Sequence, residues 1–128
     1  MKYLGIDFGE KNVGIATAID SKIAFPKAVF NNDNKLLEKI ELIVDNEKID
    51  EIVIGESRDY SGKPNQIMAK IEKFTEILEE KLKLPVRFEQ EFLTSKEAER
   101  LQGKNDQLDA SAAAIILQSY LDRNQGLL

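Results

Sequence analysis

The chain has 128 residues with a formal net charge of −5, and it contains neither cysteine nor histidine. The length predicts a single domain over residues 1–128. The composition excludes disulfides, thiolate chemistry, histidine general bases and histidine-ligated zinc, so catalysis would need carboxylates, lysines, hydroxyls or an oxygen-bound metal. No segment approaches the roughly 20 apolar residues of a membrane span, and the first residues lack a signal-peptide pattern. We therefore expect a cytoplasmic protein with no membrane partner.

Hydrophobic periodicity predicts the element order β-β-β-α-β-α-β-α-α. The predicted strands are 2–8, 12–19, 22–30, 49–54 and 85–91, and the predicted helices are 35–46, 65–83, 94–101 and 106–123. Pro26 favours an edge position for the third strand, and Asn32-Asp33-Asn34 offers caps for the first helix. Three meandering strands followed by strand–helix crossovers predict an α/β fold. Its five-stranded mixed sheet has three antiparallel strands and then two parallel ones, flanked by helices.

Two carboxylates stand at the ends of predicted strands. Asp7 ends the first strand in MKYLGIDFGEKNVGIA, and Glu91 ends the last one. If these strands are parallel, both carboxylates emerge at the sheet edge where ligand sites gather in such folds. Turn chemistry alone would also account for Asp7, and a solvated strand end would account for Glu91.

A third carboxylate, Asp109, heads a helical stripe that otherwise has the pattern of a core: Ala112, Ala113, Ile116 and Tyr120. An alternative is that Asp106 caps the helix and Asp109 stabilises its dipole. Three carboxylates at one edge would repel one another, and a divalent cation would remove the repulsion. Oxygen ligands of this kind suit Mg²⁺ or Mn²⁺. Two such ions can activate a water and stabilise the leaving oxygen of a phosphodiester.

Three motifs, GIDFGEKNVGIA, EFLTSKEAERL and LDASAAAIILQSYLD, together resemble the YqgF (RuvX) family over nearly the whole chain. That family has an RNase H-like fold, and its members are described as Holliday-junction resolvases and as nucleases that mature the precursor of 16S ribosomal RNA. The resemblance implies a nuclease of the two-metal-ion type. It implies Asp7, Glu91 and Asp109 as catalytic acids that bind Mg²⁺ or Mn²⁺, and Lys11 as a phosphate contact.

Several positions depart from the family pattern. Gln90-Glu91-Phe92 replaces the usual Asp-Glu-Arg, Asn12 replaces an arginine, and Gly55-Glu56-Ser57 replaces Gly-Leu-Pro. The segment 102–106 is also short. The metal-binding acids are kept while basic contacts are lost, so the substrate stays open between ribosomal RNA precursor and branched DNA. Paired incisions in a junction would need a homodimer, whereas single cuts in RNA would need only a monomer.

The polar loop between the fourth strand and the second helix offers further candidates. Arg58 and Lys63 are expected to help Lys11 position the phosphate backbone, with ordinary solvated lysine and arginine as the alternative. Glu56 follows a strand that we expect beside the first one, so it is a candidate fourth metal-binding acid. The alternative is that Glu56 turns outward and pairs with Arg58 in solvent.

Two other classes of function are compatible with parts of the sequence. A non-catalytic domain that binds nucleic acid or protein would keep the same fold and would tolerate the lost basic residues. The Asp-x-Gly turn at residues 7–9 is also similar to the phosphate-binding turn of actin-like ATPases and sugar kinases. Those proteins need a second lobe around the nucleotide, which 128 residues cannot supply.

Overall fold

The structure, a computed structural model, describes residues 1–56, 66–90 and 106–124. The strands are β1 Tyr3–Phe8, β2 Asn12–Ala18, β3 Phe25–Asn31, β4 Glu51–Glu56 and β5 Val86–Gln90, and the helices are α1 Leu36–Glu47, α2 Gln66–Leu82 and α3 Asp106–Asn124. These bounds confirm the predicted elements to within three residues, and the predicted helix 94–101 lies outside the described residues. Within the described ranges, no helix is both long and apolar enough to cross a membrane.

The five strands form one mixed sheet in the order β3-β2-β1-β4-β5. β1 pairs antiparallel with β2, and β2 pairs antiparallel with β3. β4 lies parallel to both β1 and β5. The predicted mixed sheet is confirmed, including the placement of the fourth strand beside the first. Pro26 lies in the edge strand β3, as expected for a residue that cannot donate a ladder hydrogen bond.

The two faces of the sheet are covered by different helices. Leu4 and Ile6 pack with Ile52 and Ile54 in a core cluster that the buried faces of α1 and α2 complete. The opposite face of the sheet carries a second, smaller cluster with α3, made mainly of alanine and leucine side chains: Ala16, Ala18, Val53, Ala113, Ile116, Leu117 and Leu121. Because side chains alternate along a strand, Tyr3, Gly5 and Asp7 belong to the α3 face.

Helix α3 lies unusually close to β1. A Cβ atom at Gly5 would stand 2.8 Å from Cβ of Leu117 and 3.1 Å from the carbonyl oxygen of Ala113, so only glycine fits there. The ring of Tyr3 meets the ring of Tyr120 edge-on, with centroids 6.1 Å apart. The helix therefore runs antiparallel to β1, and its first turns lie toward the end of β1 that carries Asp7.

Candidate functional site

Asp7 is the last but one residue of β1 and is half-buried on the α3 face. Its partner on β2 is Gly14. On the other side, the parallel register pairs Ile6 with Ile54, and one further step along both strands brings Gly55 beside Asp7. Since glycine has no side chain, neither neighbouring strand crowds the Asp7 carboxylate on this face. A carboxylate in such surroundings can accept a hard cation or a phosphate-bound metal from the α3 side.

The turn between β1 and β2 is held in one conformation by backbone bonds. The amide of Gly9 donates to the carbonyl oxygen of Asn12 at 3.0 Å, and a Cβ at Gly9 would stand only 2.5 Å from that oxygen. Asn32 secures the turn by donating its side-chain amide to the Gly9 carbonyl and its backbone amide to the Lys11 carbonyl, both at 2.8 Å. Lys11 is exposed at the tip of this turn.

The prediction that Asn32-Asp33-Asn34 offers the cap of the first helix is wrong, because the N-cap residue is Lys35, which makes no side-chain cap bond. Asp33 lies two residues ahead of it and accepts a hydrogen bond from the Lys35 amide at 3.0 Å. Asn32 instead fixes the β1–β2 turn from the end of β3. An asparagine just before a helix has the pattern of a cap, and nothing in the local sequence indicates a partner 23 residues away.

The other predicted site residues are only partly described. Asp109 lies in the first turn of α3, where the backbone but not its side chain is described. Glu91, Arg58 and Lys63 lie outside the described residues. Among the side chains that are described, no group of three or more carboxylates forms a metal-binding set. The convergence of Asp7, Glu91 and Asp109 therefore stays a prediction.

Glu56 ends β4, the parallel neighbour of β1. Ile52 and Ile54 point to the face of α1 and α2, and alternation gives Glu56 the same face. Asp7 lies on the opposite face, with α3. The neighbouring strands are as predicted, and alternation assigns the two carboxylates to opposite faces of the sheet, so the role of Glu56 as a fourth metal-binding acid stays a prediction.

Sequence reasoning missed a buried carboxylate on β5, Glu89, which is only 5% exposed. It accepts a hydrogen bond from the Ser119 hydroxyl at 2.8 Å and forms an ion pair with Arg123, both on α3. The sequence carries no local signal for this pair, because the two ion-paired residues are 34 positions apart.

A second buried carboxylate, Glu51, lies at the start of β4 and is 7% exposed. Its Oε1 accepts from Nε of Arg87 at 2.8 Å and from the Tyr120 hydroxyl at 3.1 Å. Burial, followed by the bond and charge of Glu51, raises the pKa of Tyr120. The hydrogen bond that Arg87 donates to Glu51, followed by the charge of Glu51, raises the pKa of Arg87. This cluster stands at the amino-terminal ends of the parallel strands, away from Asp7.

Comparison with known proteins assigns the chain to a family. The family model of RuvX, described as Holliday junction resolvase, matches residues 1–123. A protein of Caldanaerobacter subterraneus named "Putative pre-16S rRNA nuclease" is 36% identical over 95% of this chain and 96% of its own length. A protein of the same name from Maridesulfovibrio salexigens is 35% identical over 96% of this chain and 99% of its own length.

Among solved structures, Thermus thermophilus RuvC in complex with a Holliday junction substrate superposes with a TM-score of 0.64. The two chains are 14% identical, and the match covers 98% of this chain and 96% of the RuvC chain. At that identity the likeness concerns the fold alone, which is RNase H-like. The family model and the relatives that match almost end to end together show that this chain belongs to the RuvX family.

Proposed function

We propose that this protein is a divalent-metal-dependent endonuclease that hydrolyses phosphodiester bonds in structured nucleic acid. The observation that carries the proposal is Asp7, a half-buried carboxylate at the end of a central strand, set between Gly14 and Gly55 on the face covered by α3. Membership of a family described by resolvase activity, and relatives named as nucleases of a ribosomal RNA precursor, support a nucleic-acid substrate.

The proposed metal ligands are Asp7, Glu91 and Asp109. Glu91 is the residue that follows the end of β5, and Asp109 is in the first turn of α3. The antiparallel course of α3 over β1 supports this set, because Asp109 precedes Ala113, the contact of Gly5, by one helical turn. Asp7 follows Gly5 by two residues on the same face. A strand step of two residues and a helical turn have similar lengths, about 7 and 5–6 Å. Asp7 and the backbone of Asp109 are therefore displaced by similar distances, and in the same direction, from the contact between Gly5 and Ala113.

The donor that the structure describes fits a hard metal ion. Asp7 offers carboxylate oxygens at a site without neighbouring strand side chains, and Mg²⁺ and Mn²⁺ prefer such ligands. When bound, two such ions supply an activated water and stabilise the leaving oxygen of the phosphodiester. The three carboxylates hold and orient the metal. The positive charge of the metal would offset the repulsion that these carboxylates would otherwise exert on a phosphate.

The proposed contacts for the substrate are cationic side chains near the end of β1 that carries Asp7. Lys11 lies on a turn whose backbone Asn32 holds by two hydrogen bonds, one to the Gly9 carbonyl and one to the Lys11 carbonyl, so the backbone of Lys11 has a defined place near Asp7. Arg58 and Lys63 are proposed as further phosphate contacts. A ribosomal RNA precursor would require one active site and therefore a monomer, whereas paired cuts in branched DNA would require a homodimer. In either case the substrate places the protein in the cytoplasm.

The test is cleavage of two labelled substrates, a precursor of 16S ribosomal RNA and a four-way DNA junction, by purified protein with Mn²⁺ or Mg²⁺. We expect cleavage of one substrate that EDTA abolishes, and a loss of about two orders of magnitude or more in the Asp7→Asn variant. Circular dichroism would establish that the variant is folded. Asp7→Asn cleaving as fast as the parent would refute the site. Tight binding without cleavage of either substrate would favour a non-catalytic binding domain, for which the replacement of the family arginine by Asn12 is the supporting observation.

A further inference from the structure

We propose that Glu89 is a positioning residue for the metal site. Its buried carboxylate joins the strand that leads into Glu91 to the helix that carries Asp109. This inference rests on the proposed function, because it concerns the geometry of the same three metal-binding acids. It adds a residue that does not itself bind metal.

The position of Glu89 in the sheet supports this role. Glu89 pairs with Gly55, which lies beside Asp7, so Glu89 stands in the row of the sheet that contains Asp7. With neighbouring strands about 4.8 Å apart, its Cα is roughly 10 Å from that of Asp7. Both residues belong to the α3 face. Glu91 is only two residues further along the chain, so the anchored residue is close to a proposed ligand.

The contacts of Glu89 hold the strand β5 against the helix α3. Among the residues that the structure describes, β5 is an edge strand that pairs with β4. The end of an edge strand opens more easily than a central strand unless another contact holds it. Ser119 and Arg123 supply that contact from successive turns of α3, and bonds to an ionised acceptor are roughly twice as strong as neutral ones. With 5% exposure, the Glu89 carboxylate would lie unsatisfied if α3 shifted.

The consequence concerns metal affinity more than stability. Mg²⁺ requires near-ideal octahedral geometry, so the proposed ligand that follows β5 in the sequence, Glu91, and the one on α3, Asp109, must keep a fixed separation. Groups that orient metal ligands typically change affinity by about 10–100-fold when they are lost. Both oxygens of Glu89 already accept from α3, one from Ser119 and the other from Arg123. Glu89 therefore acts on the metal through Glu91 and Asp109.

The experiment is calorimetric titration of Mn²⁺ into the full chain, well below its melting temperature, with cleavage measured in parallel. We expect Glu89→Gln and Arg123→Met to weaken Mn²⁺ binding about tenfold, with cleavage restored at saturating Mn²⁺. Arg123→Lys, which keeps the charge, should recover part of the affinity. A purely structural role would lower the melting temperature of these variants without changing the Mn²⁺ affinity of the folded protein.

Glu47→Gln is the matched control. It breaks the ion pair of Lys27 and Glu47, 2.8 Å long, between β3 and α1, which carry no proposed metal ligand. Its Mn²⁺ affinity should equal that of the parent. If Glu89→Gln does not fold, Ser119→Ala removes one of the two bonds and serves in its place.

Three outcomes would overturn the inference, and they are distinguishable. Unchanged Mn²⁺ affinity in Glu89→Gln and Arg123→Met, while Asp7→Asn loses binding, would refute the positioning role alone. Loss of binding in Glu89→Gln as complete as in Asp7→Asn would make Glu89 a ligand instead. A parent protein that binds no Mn²⁺ would refute the proposed function itself.

Discussion

The carboxylates on the α3 face of this sheet are of two kinds. Glu51 and Glu89 are buried, and each accepts hydrogen bonds from an arginine and from a hydroxyl. Asp7 is half-buried, and its neighbours on the adjoining strands are glycines. A buried carboxylate is tolerated when hydrogen-bonded cations compensate its desolvation, which the first kind achieves within the chain. The second kind borders on a glycine in each neighbouring strand, which leaves room beside the carboxylate on this face.

Helix α3 connects the two kinds of carboxylate. Its C-terminal half supplies Ser119, Tyr120 and Arg123 to the buried pair, while its first turn carries Asp109. Between these ends it lies against Gly5 of β1 at close range. One half of the helix therefore fixes its position, and the other half carries a proposed metal ligand. Substitutions in the first turn should affect metal binding and cleavage directly. Substitutions in the C-terminal half should affect stability and, through the position of the helix, metal affinity.

The largest effect on metal binding and cleavage is expected at Asp109 and Glu91, the two ligands proposed beside Asp7. Asp109→Asn and Glu91→Gln remove charge but keep shape, so metal binding and cleavage should fall by about two orders of magnitude while folding is kept. Asp122→Asn on the same helix is the control, since Asp122 accepts a bond from Gln118 and lies more than three turns away. Equal losses in Asp109→Asn and Asp122→Asn, measured by initial cleavage rates, would contradict the division of α3.

The next largest effect is expected from a substitution at the close contact between β1 and α3. Gly5→Ala would put a Cβ 2.8 Å from that of Leu117, so α3 must move outward. Overpacking of this kind costs typically about 1–3 kcal/mol. We expect a lower free energy of unfolding in urea, together with weaker Mn²⁺ binding, because the displaced helix carries Asp109. A variant as stable as the parent, with unchanged Mn²⁺ affinity, would mean that the helix position is not set at Gly5.

Much of this fold could be predicted from the sequence because its signals are local. The apolar runs before Asp7 and around Ile54 indicate strands, helical spacing indicates α1 and α2, and the connection lengths require parallel crossovers. Pro26 even indicates which strand is at the edge. The faces of β4 could not be predicted, since residues 51–55 are all buried and show no alternation. The sequence suggests Glu56 as a fourth metal-binding acid because its strand is expected beside the first one, and it carries no information about the face on which Glu56 lies.

The site could be predicted only as far as its residues are local or match a family motif. Asp7 stands at a strand end in a recognisable motif, so its candidacy follows from the sequence. Glu89 and Asn32 act through partners 34 and 23 residues away, and such partners follow from three-dimensional packing. Glu91, Arg58 and Lys63 lie outside the described residues, so their roles stay predictions.

A smaller effect is expected at Lys11, the cation on the turn beyond Asp7. If Lys11 neutralises one phosphate, its removal should reduce the slope of log affinity against log salt by about 0.9 on duplex DNA. Affinity should fall to a similar extent on different sequences, as expected for a backbone contact. Binding of catalytically inactive Asp7→Asn protein to labelled nucleic acid at several salt concentrations measures this. Lys81→Ala, at the far end of α2, is the control, and an unchanged slope in Lys11→Ala would exclude the contact.

The hydrogen-bonded cluster of Glu51, Arg87 and Tyr120 gives a prediction of pH-dependent stability. Burial and the bond to Glu51 raise the pKa of this phenol above its usual 10.0, so folding favours the neutral form. Its contribution is complete below pH 10 and is lost as the pH rises through the folded-state pKa. Tyr120→Phe should lower the free energy of unfolding by about 1 kcal/mol near pH 8, the value of one hydrogen bond. The difference from the parent should shrink above pH 10, and a constant difference would contradict the role of this hydroxyl.

The smallest effect is expected at Glu56, a carboxylate that alternation assigns to the face of the sheet opposite Asp7. Alternation along β4 gives Glu56 the face of Ile52 and Ile54, whereas Asp7 belongs to the α3 face. A carboxylate on the opposite face would have to cross the end of the sheet to share a metal with Asp7. We therefore expect Glu56→Gln to need the same Mn²⁺ concentration for half-maximal cleavage as the parent, within about twofold, well below the roughly 10–100-fold change caused by losing even an indirect metal contact. A tenfold rise would show that the chain bends at Gly55 and Glu56 so that this fourth acid does reach the metal.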